Sequence, residues 1–466
     1  MEQKENNEEV LKEKTKKLSI KEGIAYSFMD GFGLRYITPY ALALGASNSQ
    51  IGFLSSIPSL FGNFCQLFTS RLIEKYPRKK ILAFGVLLQA LMWLPLISIG
   101  FFFFYKGIDS YITPSLVILI YSILIAFGGI LNPIWNSLMN DIVKVNSGTY
   151  FGRRNKIIGA FSLVSLLIGG FILDYFKHTK LFIGFCIIFG IAFIARSISA
   201  YILSKHYEPE LKFEKEYYFS FKQFLKKIPQ SNFGRFAVLI SLMMFATAIA
   251  SPFFSVYMLK ELNFSYINWT LVVIASSLGS LMFMALWGKF ADKYGNIRVI
   301  KITGFLISII PLLWLASPLI IKISETSLIF YLILVELFSG AVWAGFNLSI
   351  INFIYDAVTR QRMALCFAYS NMLNGFGVFI GASLGGVISS LNFMFIGLSP
   401  ILFVFLLSGL ARLFVYFIMI SKVKEVREVQ KYEKGILKKE MAHGLKEEAK
   451  KDFLYFSSKW TKPRPT

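Results

Sequence analysis

Charged side chains stand inside stretches that are otherwise apolar, and these are the residues with chemistry to offer. Asp30 and Arg35 lie in the first such stretch, Arg196 in the sixth, Glu336 in the tenth and Arg412 in the twelfth. Placing Asp or Arg at the centre of a helix in lipid costs about 2.5–3.5 kcal/mol. Each such group therefore needs a partner or a function. It can pair with an opposite charge, hold a charged part of a solute, or load a proton, for which a carboxyl group in a low-dielectric cavity is suited. Asn132, Trp135 and Asn136 in the fourth stretch and Trp343 and Asn347 in the tenth add amides and flat apolar walls. That combination is a usual lining for a small-molecule site, or else a set of helix-to-helix hydrogen bonds and interfacial anchors. Pro133 frees backbone carbonyls beside the first group.

Other chemistries lack material. His178, His206 and His443 are scattered outside the apolar stretches, and Cys65, Cys186 and Cys366 inside them. Neither set has metal-ligand spacing, a disulfide framework or a nucleophile triad. There is no Gly-x-x-x-x-Gly-Lys-(Ser/Thr) run to cradle a nucleotide. The reading is a non-enzyme without cofactor or metal, whose energy comes from a gradient or a partner.

The elements that position these residues follow from composition. The chain has 466 residues, 16% charged and 17% aromatic, with a mean hydropathy of +0.58. Soluble domains carry about 25% charged residues, so the solvent for most of this chain is lipid. Apolar runs long enough to cross a bilayer fall near 23–44, 51–73, 80–104, 113–138, 156–175, 181–203, 235–258, 267–288, 298–320, 327–350, 364–388 and 396–420. The net charge of +22 sits between and after these runs, which fits anionic lipid rather than nucleic acid. Arg78, Lys79, Lys80, Arg153, Arg154, Lys226, Lys227, Lys289, Lys293, Arg298, Arg360 and Arg362 mark alternate loops; Lys177 and Lys180 depart from the alternation. Positive-inside bias places both termini in the cytoplasm of a multi-pass plasma-membrane protein. Residues 1–20 are polar and do not read as a cleavable signal peptide.

The expected organisation is a cytoplasmic tail at 1–22, a six-helix bundle at 23–203, a linker at 204–234, a second six-helix bundle at 235–420 and a basic cytoplasmic tail at 421–466. In the linker Phe221, Phe224 and Leu225 share one helical face, as in an amphipathic helix lying on the inner leaflet. The halves repeat: Arg196 and Arg412, like Gly169-Gly170 and Gly385-Gly386, are offset by 216, and Asn132/Asn347 and Asp141/Asp356 by 215. Asp30 and Arg35 are five positions apart, about 140° round a regular helix, and so are not expected to meet. Asp30 is expected to pair with Arg196 across helices, and Arg35 to hold an anionic group or neutralise Glu336.

The turn after the eighth run reads Gly288-Lys289-Phe290-Ala291-Asp292-Lys293-Tyr294-Gly295-Asn296-Ile297-Arg298. It resembles the Gly-x-x-x-Asp-(Arg/Lys)-x-Gly-x-x-Arg signature of the major facilitator superfamily. Gly288 permits close helix contact, Asp292 can pair with Arg298 or cap a helix, and Gly295 permits the tight turn. The first-half copy departs from the pattern, with Ser70 for Gly, Glu74 for Asp and Pro77 for the turn Gly ahead of Arg78. A Gly-Pro exporter signature is incomplete: Gly377 to Gly386 carries Ala382 in place of Pro, and Ser165 to Gly170 lacks the Gly-Pro.

The resemblance implies an all-α membrane protein of twelve transmembrane helices in two pseudo-symmetric six-helix bundles. It implies a monomeric secondary active transporter that moves a small organic solute by alternating access, coupled to protons or another ion, with efflux as one direction. Gly288, Asp292, Lys293, Gly295 and Arg298, with Glu74 and Arg78, would latch the cytoplasmic side. Asp30, Arg35, Glu336, Asn132, Trp135, Asn136, Trp343 and Asn347 are the substrate and coupling candidates, and Arg196 and Arg412 the structural ion-pair candidates. A uniporter or uptake carrier for a polar metabolite, and a non-transporting receptor or lipid-handling protein of the same fold, are the alternatives.

Overall fold

The computed structural model describes residues 2–109, 111–144, 147–177, 180–209, 220–392, 394–395 and 397–430, without the side chains of 2–6, 70, 360, 361 and 364. His178, His443, the Arg360 side chain and the lysine-rich tail from 431 lie outside the described residues. Twelve long helical segments follow one another. The first, α1, runs Glu2–Phe32 and continues through a 3-10 turn at Leu34–Tyr36 into Ile37–Ala43. Then come α2 (Asn48–Phe68), α3 (Arg78–Lys106), α4 (Ile112–Ile142), α5 (Ser147–Phe176) and α6 (Leu181–Ser204). A short linker helix spans Phe221–Lys227. The second half holds α7 (Asn232–Glu261), α8 (Tyr266–Tyr294), α9 (Asn296–Ile320) and α10 (Glu325–Ala357), then α11 (Arg360–Ser390) and α12 (Pro400–Lys422).

Among the described residues, eleven helices are long and apolar enough to cross a membrane. The one outside that set is α1, because Glu and Lys fill its first half and Asp30 and Arg35 interrupt its second. Residues 2–22, expected as a tail, are helical and continuous with α1; ion pairs such as Lys12–Glu8 (2.7 Å) and Lys16–Glu13 (2.6 Å) lie along this stretch. Most helices outrun their apolar runs, because hydropathy marks the lipid-embedded part and a helix continues into water while its backbone stays bonded. Arg154, expected in a loop, sits inside α5 for this reason.

The packing repeats between the halves. In the first, α1 lies on α5 and α6, α2 on α4, and α3 on α4 and α6; in the second, α7 lies on α11 and α12, α8 on α10, and α9 on α10 and α12. The most extensive contacts between the halves are α2 with α11 and α5 with α8, the two arms of one pseudo-twofold relation, and α7 also touches α1 and α2. Small residues allow these approaches. A Cβ at Gly340 on α10 would stand 1.7 Å from the Ser276 carbonyl oxygen of α8, and one at Gly385 on α11 would stand 2.1 Å from that of Ile249 on α7. Large apolar side chains such as Phe101, Phe171, Phe330 and Phe414 are exposed on the outside, where a bilayer would meet them.

The polar start of α1, the chain after α12, the linker helix and the turns before α3 and α9 gather at one end of the bundle, called the tail face below; the opposite end is the far face. The linker helix turns Phe221 and Phe224 inward, while Leu225 of the same expected face stays exposed. Phe221 and Phe224 stack on Tyr369 of α11 at 5.3 and 5.6 Å, within a cluster that includes Leu67 of α2 and Ala237 of α7. A protein seam that offers matching aromatic and aliphatic surface takes the face expected on the leaflet.

Candidate functional site

The far face is sealed. Asn48 donates to the Ser389 carbonyl at 2.8 Å, Ser49 and Ser390 share a hydrogen bond at 2.8 Å, and Tyr36 and Thr270 share one at 3.2 Å. Beneath this seal a cavity of about 440 Å³ lies between α1, α2, α4 and α7. Thr38, Ser55, Ser59, Tyr121, Ser251 and Ser255 supply hydroxyls to its wall, with Leu34, Ile37 and Pro58 between them. Toward the tail face, one described hydrogen bond joins the halves, Asn371 to Gln66 at 3.2 Å.

Asp30 and Arg35 meet each other, against expectation. Arg35 Nε lies 3.4 Å from Asp30 Oδ2, and Ser162 of α5 donates to the same oxygen at 2.6 Å. The backbone between them is irregular: Gly33 departs from regular helical dihedrals (φ −109°, ψ −79°) and a 3-10 turn follows at Leu34–Tyr36, so the angular spacing of a regular helix does not hold there. The two side chains are 20% and 43% exposed, so both reach open space from mid-span, and Tyr121 is close enough to feel both charges.

Arg196 does not reach Asp30. Its Nη1 lies 3.7 Å from Glu22 Oε1, its Nε donates to Gln89 at 2.8 Å, and its Nη1 donates to Ser199 at 3.1 Å. The same Glu22 accepts from Arg154 at 3.1 Å and from Ser199 at 2.8 Å. Arg154 also stacks on Trp135, 4.2 Å from the ring centroid. One buried carboxylate thus ties α1, α5 and α6 together. His206, just past α6, is buried beside this group; burial pushes its imidazole below the ordinary range, and Nδ1 faces the Ile202 carbonyl at 3.0 Å.

Arg412 occupies the repeat-related place in the second half. It donates to the Ile307 carbonyl at 2.9 Å and to Ser408 at 3.1 Å, without an ion pair inside 4 Å among the described residues. Its nearest opposite charge is Glu336, which also faces Ser276 and the Trp314 indole. Trp314 Nε1 itself lacks a well-formed hydrogen bond. Glu336 therefore looks toward Arg412 rather than Arg35; it stays half-buried although α8, α9 and α12 surround it. Asn132, Asn136 and Asn347 are exposed in the tail-face halves of α4 and α10, with Asn136 3.4 Å from Asn132, and Trp135 and Trp343 are half-buried beside them.

The tail-face turns are built differently from each other. Arg78, 1% exposed, donates to Asp141 at 2.6 Å, Ser137 at 3.0 Å and the Pro209 carbonyl at 3.2 Å. Glu208 accepts from the backbone N–H of Arg78 at 2.6 Å and of Lys79 at 3.2 Å, capping α3. Glu74 is exposed and unpaired among the described residues. In the second half Asn296 stands where Arg78 stands in the first, bonded to Asp356 at 2.8 Å, and the arginine comes from the chain after α12: Arg427 lies 3.1 Å from Asp356 and 4.0 Å from Asp292. Glu425 accepts from Ile297 N at 2.8 Å, as Glu208 does for α3. Gln430 N bonds the Lys293 carbonyl at 3.1 Å, so 423–430 forms a strap over the turn. Gly295 holds the left-handed turn (φ +91°), whereas a Cβ at Gly288 would meet Leu348 at an ordinary 3.6 Å, so close approach is not its role. Arg298 is exposed in the first turn of α9.

Glu22, Glu208, Glu425 and Arg427 were not foreseen. Glu208 and Glu425 did carry a signal, an offset of 217 that continues the repeat into segments expected to be plain linker and tail.

Comparison with known proteins agrees with this architecture. The Major Facilitator Superfamily profile matches residues 23–233 and 236–457. The chain belongs to that superfamily. A curated relative, the multi-drug resistance efflux pump PmrA homolog of Lactococcus lactis subsp. lactis (strain IL1403), is 22% identical over 369 residues, covering 76% of this chain and 83% of that protein. Among solved structures, a mutant of the nucleoside transporter NupG superposes with a TM-score of 0.66 at 15% identity, covering 89% of this chain and all of that one. A bacterial homologue of the iron transporter ferroportin in an inward-facing state gives 0.65 at 12% identity, covering 88% of this chain and 98% of that one. This superfamily member is a multi-pass membrane transporter of twelve helices in two pseudo-symmetric bundles.

Proposed function

We propose that this transporter carries a small organic solute by alternating access, with the solute bound in the cavity between α1, α2, α4 and α7 and movement coupled to a proton or another ion. The observation that carries the reading is the set of polar groups exposed inside the spans, Arg35 near mid-span and Asn132, Asn136 and Asn347 toward the tail face, beneath a far face joined by hydrogen bonds. In lipid those side chains would be strongly unfavourable; on the wall of a water-filled passage they are not. A passage open on one side and closed on the other is one half of an alternating cycle. The basic loops of the tail face support the reading that this face lies on the cytoplasmic side of the plasma membrane, next to anionic lipid.

Asp30, Arg35, Tyr121 and the hydroxyls around them are assigned to solute, and Glu336 to coupling. Glu336 has no ion-pair partner inside 4 Å among the described residues, so its charge is not committed to a structural bridge. The relatives suggest the compounds to try first: nucleosides and lipophilic cations, followed by sugars and amino acids. A compound that raises the melting temperature of the purified protein sets the class. With it, Glu336→Gln is expected to abolish pH-driven transport in proteoliposomes while solute counterflow persists. Wild-type pH-driven flux in that variant would remove Glu336 from coupling.

A further inference from the structure

We propose that Asp174 and Lys260 form the far-face gate of the transport cycle, each by holding backbone of the opposite half, Asp174 at the start of a helix and Lys260 at the turn between two helices. Asp174 lies in the last turn of α5. Its Oδ1 accepts from Tyr266 N at 2.7 Å and its Oδ2 from Ile267 N at 2.8 Å, the first amides of α8. Amides in a first turn have no partner within their own helix and carry the positive end of its dipole. A bidentate carboxylate is therefore a complementary cap, and here the carboxylate comes from the other bundle.

Lys260 makes the converse contact. It sits in the π-helical turn Tyr257–Glu261 at the end of α7, a local widening often found where a helix is shaped for function. Its Nζ donates to the Ala46 carbonyl at 2.8 Å, just past the end of α1. Ala46 lies in the turn between α1 and Ser47, the cap of α2. A negative group of the first half thus grips a helix start in the second, and a positive group of the second grips a turn carbonyl in the first.

The pseudo-twofold relation shows that this is a local device. The residue related to Asp174 by the repeat offset of 216 is Ser390, at the end of α11. It faces the start of α2 through a hydroxyl pair, Ser49 with Ser390, without a charge. The α2–α11 arm is therefore held by neutral contacts, and the α5–α8 and α1–α7 contacts by charge-assisted hydrogen bonds to backbone, which are the stronger kind. If the halves exchange access, this second set must break for the far face to open; the proposal rests on the alternating-access reading in that respect. Removing one charge is expected to favour the far-open state about tenfold, the size of one charge-assisted hydrogen bond.

The test replaces Cys65, Cys186 and Cys366 by Ser and introduces Ser251→Cys, in the cavity wall beneath the gate. A membrane-impermeant maleimide applied from the far side then reports far-face opening. Asp174→Asn and Lys260→Gln are each expected to raise the labelling rate about tenfold, Asp174→Glu to bring it back toward the parent rate, and Ser390→Ala to change it little. Rescue by Glu separates a gate from a general loss of structure, and Lys260→Gln keeps the proposal testable if Asp174→Asn fails to fold. Parent-rate labelling in both charge-removing variants, with solute flux intact when the same substitutions are made without Ser251→Cys, overturns the gate and leaves the transport reading standing. Faster labelling in those variants supports the gate even where no solute flux is found, an absence that counts against the transport reading instead.

Discussion

Replacing Glu22 with Gln removes the single negative charge at a point where two buried arginines meet. The Glu22 side chain is 6% accessible, and those of Arg154 and Arg196 are 10% and 7% accessible, so solvent screens these contacts little. Breaking a buried ion pair by removing one partner costs about 3–5 kcal/mol, because the other charge stays desolvated. Gln keeps an acceptor for Ser199, and the guanidinium of Arg154 retains its bonds to Ser19 and its stack on Trp135, which argues for the lower end of that range. A loss of about 3 kcal/mol corresponds to a fall of about 3 °C in melting temperature for a chain of this length. Intrinsic fluorescence of detergent-purified protein on heating measures it. Removing Arg196 as well reduces the uncompensated charge, so Glu22→Gln with Arg196→Gln is expected to be less destabilised than the sum of the single variants by about 1.5 kcal/mol. A melting temperature within about 1 °C of wild type for Glu22→Gln, the size of an ordinary surface substitution, would refute the reasoning.

Two further outcomes follow from geometry. Arg78→Ala should lower stability by about 2 kcal/mol in the same thermal assay, and Arg78→Lys should not restore it, since an ammonium cannot serve Asp141, Ser137 and the Pro209 carbonyl together. The glycines of α8 and α10 should separate by position: Gly340→Val, which drives a side chain into the Ser276 carbonyl, should cost about 1–3 kcal/mol or block folding, whereas Gly288→Ala should stay within about 0.5 kcal/mol of wild type.

Much of the fold was legible because lipid imposes a simple rule on sequence. A span must be about 20 apolar residues long, so composition and run length reveal the helices. The offsets of 215 and 216 between Arg196 and Arg412, Gly170 and Gly386, and Asp141 and Asp356 reveal the duplicated bundle without reference to hydropathy. Helix ends were less legible. Glu22 and Arg154 belong to helices whose polar turns extend past the apolar run, and the linker helix found a protein seam at Tyr369 and Leu67 instead of lipid.

Pairing among the charged residues belonged to the tertiary structure. The sequence by itself determined that Asp30, Arg35, Arg196, Glu336 and Arg412 stand in apolar surroundings and that each requires an answer to its charge. Which answer each received depended on helix rotation and local backbone geometry. The irregular backbone at Gly33 and Leu34–Tyr36 let Asp30 meet Arg35, and the approach of α1 to α6 gave Arg196 to Glu22. The far-face contacts of Asp174 and Lys260 lie further still from sequence, because each joins a side chain to backbone of the opposite half. Backbone amides and carbonyls are the same for every residue type, so no pattern of side chains announces them; they become partners once the two bundles are packed.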